Sequence, residues 1–181
     1  IAIIGATTGS DTLALADLAM RSKVPVFPMV GTQSVTDPKE EFSKWMFRMS
    51  VPISTDLPAS RDRIIADGHK RVAVFSEEDA YGQQASELFI NMSKEKGDLQ
   101  VVEHASAPKA ATDLTAQAIK IRSAKPDAVF LATSSTGSAG AFLRKLQEIG
   151  LNVPVHGMAG IVQKQIIKNG GKGAENLIAP A

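Results

Sequence analysis

The sequence predicts an α/β fold: a doubly wound parallel sheet with helices on its faces. Three observations predict it. Apolar strand-like runs at Arg71–Ser76, Leu99–Glu103 and Asp127–Thr133 alternate with segments whose apolar residues recur at helical spacing. Small polar loops follow the strand-like runs and precede the helical ones. Glycines stand where those helical patterns stop, at Gly68, Gly150 and Gly170-Gly171. Parallel sheets of this kind bind small molecules outside the carboxyl ends of their strands. The polar stretches Ser76–Tyr81 and Thr133–Gly137 are therefore the first places to look for a site.

The elements follow in chain order. Ile1–Ile4 is a buried strand stopped by Gly5. The loop Ala6–Asp11 leads into a helix over Thr12–Ser22, with Ser10 or Asp11 as its N-cap and Leu13, Ala16, Ala19 and Met20 on one face. Val24–Phe27 is a short strand followed by a second polar loop, Met29–Ser34. Trp45–Met49 is apolar enough for a further strand. Beyond Pro52 a helix runs from Thr55 to Asp67, with Pro58 placed in its first turn because proline lacks the N–H a helix interior needs. Ala85, Leu88, Phe89 and Met92 form the buried stripe of the next helix. Leu114, Ala118 and Ile121, after a cap at Asp113, form another. Ala139, Phe142, Leu143, Leu146 and Ile149 form a third. Val153–Gly157 and Asn176–Ala179 complete the strands, with a helix over Ile161–Lys168 between them.

Organisation follows from this order. Residues 1–50 supply too few strands for a whole sheet and read as part of one lobe. Residues 51–175 read as a nearly complete second lobe, and 176–181 as the start of a crossing back to the first. The chain opens inside a strand pattern and without Met, which reads as a fragment with exposed strand edges prone to dimerise. A net charge of +1 gives no reason to expect nucleic acid as partner. The absence of cysteine excludes disulfides, thiolate metal sites and cysteine nucleophiles. No stretch is apolar for the roughly 18 residues that a spanning helix needs.

The candidate chemistry is that of binding. Thr7, Thr8, Ser10 and Thr12 bring hydroxyls and free amides to a strand end, a setting for an anion such as a carboxylate; Ser10 or Asp11 acting only as a helix cap is the competing reading. Gly31-Thr32 repeats the arrangement one strand over. Tyr81, the sole tyrosine, stands where a ring covers a ligand or packs on its own helix. Ser134, Ser135 and Thr136 offer hydroxyls or a cap at a further strand end. Glu77, Glu78 and Asp79 read as solvated strand-end carboxylates, and His69, His104 and His156 lack ligand spacing. No Gly-x-Gly-x-x-Gly loop, Walker loop or Gly-x-Ser-x-Gly elbow is present, so no cofactor is expected and a binding protein is favoured over an enzyme.

The order and spacing of several segments carry a resemblance that covers the whole chain. They are Ile3-Ile-Gly5 with its hydroxyl-rich loop, Val24-Pro-Val-Phe-Pro-Met-Val-Gly-Thr32, Phe47-Arg48, Arg71-Val-Ala-Val-Phe75 with Asp79-Ala-Tyr-Gly82, Asp113-Leu114 and Pro126-Asp-Ala-Val-Phe-Leu131. In these the chain resembles the periplasmic solute-binding proteins of branched-chain amino acid (Leu/Ile/Val) type that serve ABC importers. The resemblance implies the type I periplasmic-binding-protein fold: two Rossmann-like lobes, three crossings and closure on ligand like a hinged clamp. It also implies a membrane permease as partner and a periplasmic location, or a lipid-anchored extracellular one in a Gram-positive cell. By resemblance, Thr8, Gly9 and Ser10 hold the ligand carboxylate, Val30, Gly31 and Thr32 add contacts, Tyr81 covers the ligand, and Ser134 stands where some relatives carry an aromatic. Ala159, in Gly157-Met-Ala-Gly160, occupies the place of the acid that pairs with the α-ammonium in amino-acid-binding relatives. A buried ammonium without that acid costs several kcal/mol. The resemblance then leans towards an aromatic or other organic carboxylate, with a branched-chain amino acid as the other candidate. A ligand sensor or corepressor of the same fold is the alternative, ahead of a nucleotide-dependent enzyme.

Overall fold

The structure is a computed structural model describing residues 1–180. Two parallel sheets carry it, one of two strands and one of five. The small sheet pairs β1 (Ile3–Ile4) with β2 (Val26–Phe27). Between them lie α1 (Gly9–Ala14) and α2 (Ala16–Ser22). After β2 the chain makes two 3₁₀ turns, Gln33–Thr36 and Glu41–Trp45, before α3 (Ile53–Ala66). The large sheet is built from β3 (Arg71–Glu77), β4 (Gln100–Ala107), β5 (Ala128–Ala132), β6 (Val155–Gly157) and β7 (Leu177–Ile178). Its connections are α4 (Ala80–Lys96), α5 (Thr115–Ser123), α6 (Thr136–Glu148) and α7 (Lys164–Gly170).

The strand order β4-β3-β5-β6-β7, all parallel, reverses direction between β3 and β5. Such a reversal opens a crevice where the two flanking connections leave on opposite faces. Side-chain alternation along β3 feeds both faces. Ala73 and Phe75 join Leu114, Ile121, Phe142 and Leu143 of α5 and α6, with Phe75 stacked on Phe142 at 4.1 Å. Val72 and Val74 join Ile53, Leu57 and Ile64 of α3 and Phe89 of α4, with Phe89 stacked on Phe130 at 4.2 Å. The small sheet has one modest core, in which Ala16, Ala19, Val26, Val30, Val35 and Met46 are buried. Its other face leaves Ile4 82% and Met49 65% exposed. No helix of the described residues is long and apolar enough to cross a membrane.

Several expectations are corrected. The first helix starts earlier, at Gly9, and is capped by Thr8 instead of Ser10 or Asp11. Thr8 Oγ1 accepts the Asp11 N–H at 3.3 Å and donates to Asp11 Oδ2 at 2.6 Å, so a hydroxyl three residues upstream satisfies the free amide. The helix also breaks at Leu15 into two short pieces. Trp45–Met49 is not a strand. Phe47 N–H reaches Val26 O and Met49 N–H reaches Pro28 O, both at 2.9 Å, but Pro28 has no N–H to return, so only one bridge, Val26 to Met46, is formed. Pro58 lies in the second turn of α3, because that helix begins at Ile53 straight after Pro52. Of the strand-end acids only Glu78 is solvated; Glu77 is wholly buried and Asp79 is 7% exposed. The final helix begins at Lys164, after a 3₁₀ turn over Ala159–Ile161.

Candidate functional site

A cleft of about 650 Å³ opens at the carboxyl ends of the strands, between the two sheets. Each side supplies loops. From the small sheet come Thr7, Thr8 and Gly9 after β1 and Met29, Val30 and Gly31 after β2. From the large sheet come Tyr81 after β3, Thr133 and Ser134 after β5, and Ala159 and Gly160 after β6. The start of α3 forms the floor with Ile53, Thr55, Asp56 and Ala59.

Thr7, Thr8, Gly9, Val30, Gly31, Tyr81, Ser134 and Ala159 line this cleft as expected, whereas Ser10, Thr12, Thr32, Ser135 and Thr136 do not. Ser10 turns sideways, and its Oγ accepts the Ala80 N–H at 3.4 Å. Thr32 lies behind the wall, fully buried, with a hydroxyl that finds no partner. It packs against Gly9, where any Cβ would come within 2.2 Å of Thr32 Oγ1. Gly9 is thus needed for the Thr8 loop and the Thr32 loop to lie side by side. Gly31 likewise lets the two regions touch, since a Cβ there would stand 3.5 Å from Tyr81 Cε2. A second hydrogen bond joins the regions, from Gln33 N–H to Gln84 Oε1 at 2.5 Å.

Tyr81 is the second residue of α4, whose cap Asp79 accepts the Gly82 N–H at 2.8 Å. That cap and the lack of a side chain at Gly82 seat the helix start directly on the strand ends: a Cβ at Gly82 would meet Glu77 O at 2.3 Å. The Tyr81 hydroxyl donates to Met158 Sδ at 3.7 Å. Burial raises its pKa, with the charges of Asp56 and Asp79 adding to the effect, so the phenol stays protonated and remains a donor.

The wall behind Ser134 is held by buried carboxylates. Glu77 accepts N–H groups from Ala110, Ser134 and Ser135 at 3.3, 3.0 and 3.1 Å. Asp79 Oδ2 accepts the Ser134 hydroxyl at 3.1 Å and faces Lys109 Nζ at 3.7 Å. Ser135, as its position suggests, caps α6 by accepting the Ser138 N–H at 3.3 Å. These side chains tie the β3 and β5 ends into one rigid rim.

Asp56 is the residue that sequence reasoning passed over. It is the only formally charged side chain among the described residues that line the cleft. Its Oδ2 accepts the Ala159 N–H at 3.1 Å, which brings a carboxylate to the place where Ala159 itself has none. Burial raises its pKa and the Ala159 N–H partly offsets that. The sequence signal was faint: an acid in the first turn of a helix is ordinary capping chemistry. The cleft therefore offers hydroxyls and main-chain amides on one side and a single negatively charged hydrogen-bond acceptor, Asp56, on the floor. It holds no histidine and no lysine.

A family model described as a periplasmic binding protein matches residues 1–181. The chain belongs to the periplasmic binding protein family. Its α/β architecture of parallel sheets is that family's type I fold. Among solved structures, an extracellular ligand-binding receptor from Rhodopseudomonas palustris HaA2 is similar at 26% identity and a TM-score of 0.89, over 97% of this chain and 48% of that one. A solute-binding protein of an ABC transporter from R. palustris, in complex with 4-hydroxybenzoate, is similar in fold at 23% identity and a TM-score of 0.81, over 94% and 46%. A branched-chain amino acid ABC transporter protein from Thermus thermophilus with bound valine shares the fold at 19% identity and a TM-score of 0.82, over 98% and 46%. This periplasmic binding protein chain thus spans about half the length of the solved structures it matches. No curated protein matches it.

Proposed function

We propose that this chain carries the ligand cleft of a solute-binding subunit of an ABC importer, periplasmic or extracellular, which hands a small carboxylate to a membrane permease and performs no catalysis. The observation that carries this reading is the cleft between the sheets, with polar loops from both and only Asp56 and Tyr81 as ionisable lining groups. Two titratable groups, of which the phenol is held protonated, supply no acid–base pair and no nucleophile with its base. Thr7, Gly9 and Gly31 provide the donors that a carboxylate needs.

Asp56 sharpens the ligand class. A guest that places its carboxylate against the small-sheet loops and a hydrogen-bond donor towards Asp56 satisfies both ends of the cleft. An α-ammonium is such a donor, and so is a phenol. The lean away from amino acids rested on the missing acid at Ala159, and Asp56 removes that objection. The proposed ligand is a small carboxylate bearing a donor at its far end, either a branched-chain amino acid or a hydroxylated aromatic acid.

Titration calorimetry on the full-length protein tests this, with valine, leucine, benzoate and 4-hydroxybenzoate as probes. Tyr81→Ala should weaken the preferred ligand by about tenfold or more, equivalent to about 1.4 kcal/mol. Asp56→Asn should penalise valine or 4-hydroxybenzoate far more than benzoate, which has no distal donor. Binding of none of the four, or equal affinities in both variants, would discard the reading.

A further inference from the structure

We propose that Asp67, His69 and His156 form a binding site for a divalent first-row transition metal of the Zn²⁺ class, at the end of α3 remote from the cleft. The three residues are far apart in sequence, but the fold gathers them. Asp67 is the C-cap of α3, His69 lies in the short turn before β3, and His156 sits in the middle of β6 on the sheet face that α3 covers. One ligand atom from each lies within 4.8 Å of the others.

The second observation is His156 itself. It is 1% exposed, and neither of its ring nitrogens has a hydrogen-bond partner. Leaving a buried polar group unpaired costs about 1–3 kcal/mol, so an unmatched imidazole inside a strand calls for an occupant. The adjacent group is another imidazole, His69, at 5.8 Å between centroids and inclined at 69°. Two rings so placed point lone pairs into a shared space and do not satisfy each other by stacking.

The donor set decides the metal class. Two imidazoles and one carboxylate suit zinc, copper or nickel and are a poor match for magnesium or calcium, which take oxygen ligands. Tetrahedral zinc with N–metal bonds near 2.0–2.1 Å sets its ligand atoms about 3.3 Å apart, which requires a small inward rotation. Asp67 is exposed and His69 is half-buried in an irregular turn, so both can make it. Asp67 already accepts Arg63 Nε on both oxygens, at 2.9 and 2.8 Å, so that one oxygen bound to metal leaves the other to Arg63, the outer hydrogen bond that ligating carboxylates usually keep. A cavity of about 350 Å³ beside His156, bordered by Ser60, Arg63 and Ile178, gives an entry path. Asp56 and Asp67 stand eleven residues apart on α3, or roughly 16 Å, so the metal would pin one end of the helix whose other end floors the cleft.

The test uses the untagged full-length protein, stripped with chelator and titrated with ZnCl₂ by calorimetry and with Co²⁺ by visible absorption. This chain contains no cysteine, and His104 is its only other histidine, so competing sites within these 181 residues are few. One equivalent of Zn²⁺ is expected, with tetrahedral Co²⁺ bands and a Zn²⁺-dependent rise in Tm. His69→Ala, in an irregular turn, should weaken Zn²⁺ by at least about 100-fold, the upper end of what loss of a merely supporting partner costs. It should also abolish the rise in Tm while leaving the metal-free melt unchanged. Asp67→Asn should behave similarly, and His156→Phe should abolish binding while retaining the fold. No saturable Zn²⁺ binding, binding undiminished in His69→Ala and Asp67→Asn, or equal affinity for Mg²⁺ would overturn the proposal.

Discussion

The two sheets are built by the same rules and differ in how completely they are covered. The large sheet has five strands with helices on both faces, and its central strands β3 and β5 are buried almost throughout. The small sheet has two strands of two residues each, one core beneath it, and Ile4 and Met49 bare on the other side. A two-stranded pairing is marginal in water even when it is well patterned. Yet the loops of the small sheet supply about a third of the lining of the cleft. The stable half is a platform, and the less stable half carries loops that the platform must hold in place.

That contrast can be broken from either side. The largest effect is expected in the large sheet: Phe130→Ala removes one ring of a buried stack and should cost about 4 kcal/mol in denaturant melts. Met46→Ala, under the small sheet, should cost about 2 kcal/mol because a thin core collapses more readily. Equal losses would mean that the two cores are one cooperative unit. Next, Glu77→Ala removes the buried acceptor of three part-buried amides, of which Ser135 N–H keeps Thr133 Oγ1, and should cost about 2 kcal/mol, whereas Glu77→Gln should retain part of it. Softer still is the acid response. The His156 pKa in the folded chain, about 4, lies below the usual 6.5, so the unfolded chain binds more protons between those values. Stability should be full above pH 6.5 and fall by roughly 2 kcal/mol towards pH 4, after discounting for nearby solvent, and His156→Phe should flatten that slope. The smallest change in stability, about 1 kcal/mol, is expected from Gly9→Ala, which pushes on Thr32 Oγ1; its main effect should be a displaced Thr8 loop and weaker ligand binding. Hydrogen exchange in the 181-residue chain should rank the regions directly, with β1 and β2 amides exchanging at least about 100-fold faster than those of β3 and β5.

How far the sequence could be read followed the same divide. Where helices cover both sides of a sheet, apolar runs and helical stripes are long and unambiguous, so β3, β5, α4 and α6 were legible. In the first fifty residues the elements are too short for periodicity to settle them. There a single missing N–H at Pro28 ended a ladder that apolarity alone suggested, and a hydroxyl at Thr8 moved a helix start by three residues. The cleft was legible because strand ends and polar loops coincide. Thr32 and Ser10 were misplaced because loop composition does not say which way a side chain turns. Glu77, Asp79 and Asp56 were invisible as buried or cleft groups, since nothing in a one-dimensional pattern marks a charge whose partners are main-chain amides or residues from another element. The gathering of Asp67, His69 and His156 is equally a product of topology, because β6 returns beside the turn that ends α3.

The hydrogen bonds from Ala80 to Ser10 and from Gln33 to Gln84 have a thermodynamic consequence. Ile53 N–H also donates across the same seam, to Gly31 O at 2.9 Å. Three neutral bonds of about 1 kcal/mol each bias an equilibrium by roughly 150-fold. In the clamp that the proposed function calls for, such a seam would set a resting population that ligand binding could shift. A guest with a roughly thousandfold preference for one arrangement would outweigh it. The modest strength of that seam leaves the decision to whatever enters the cleft.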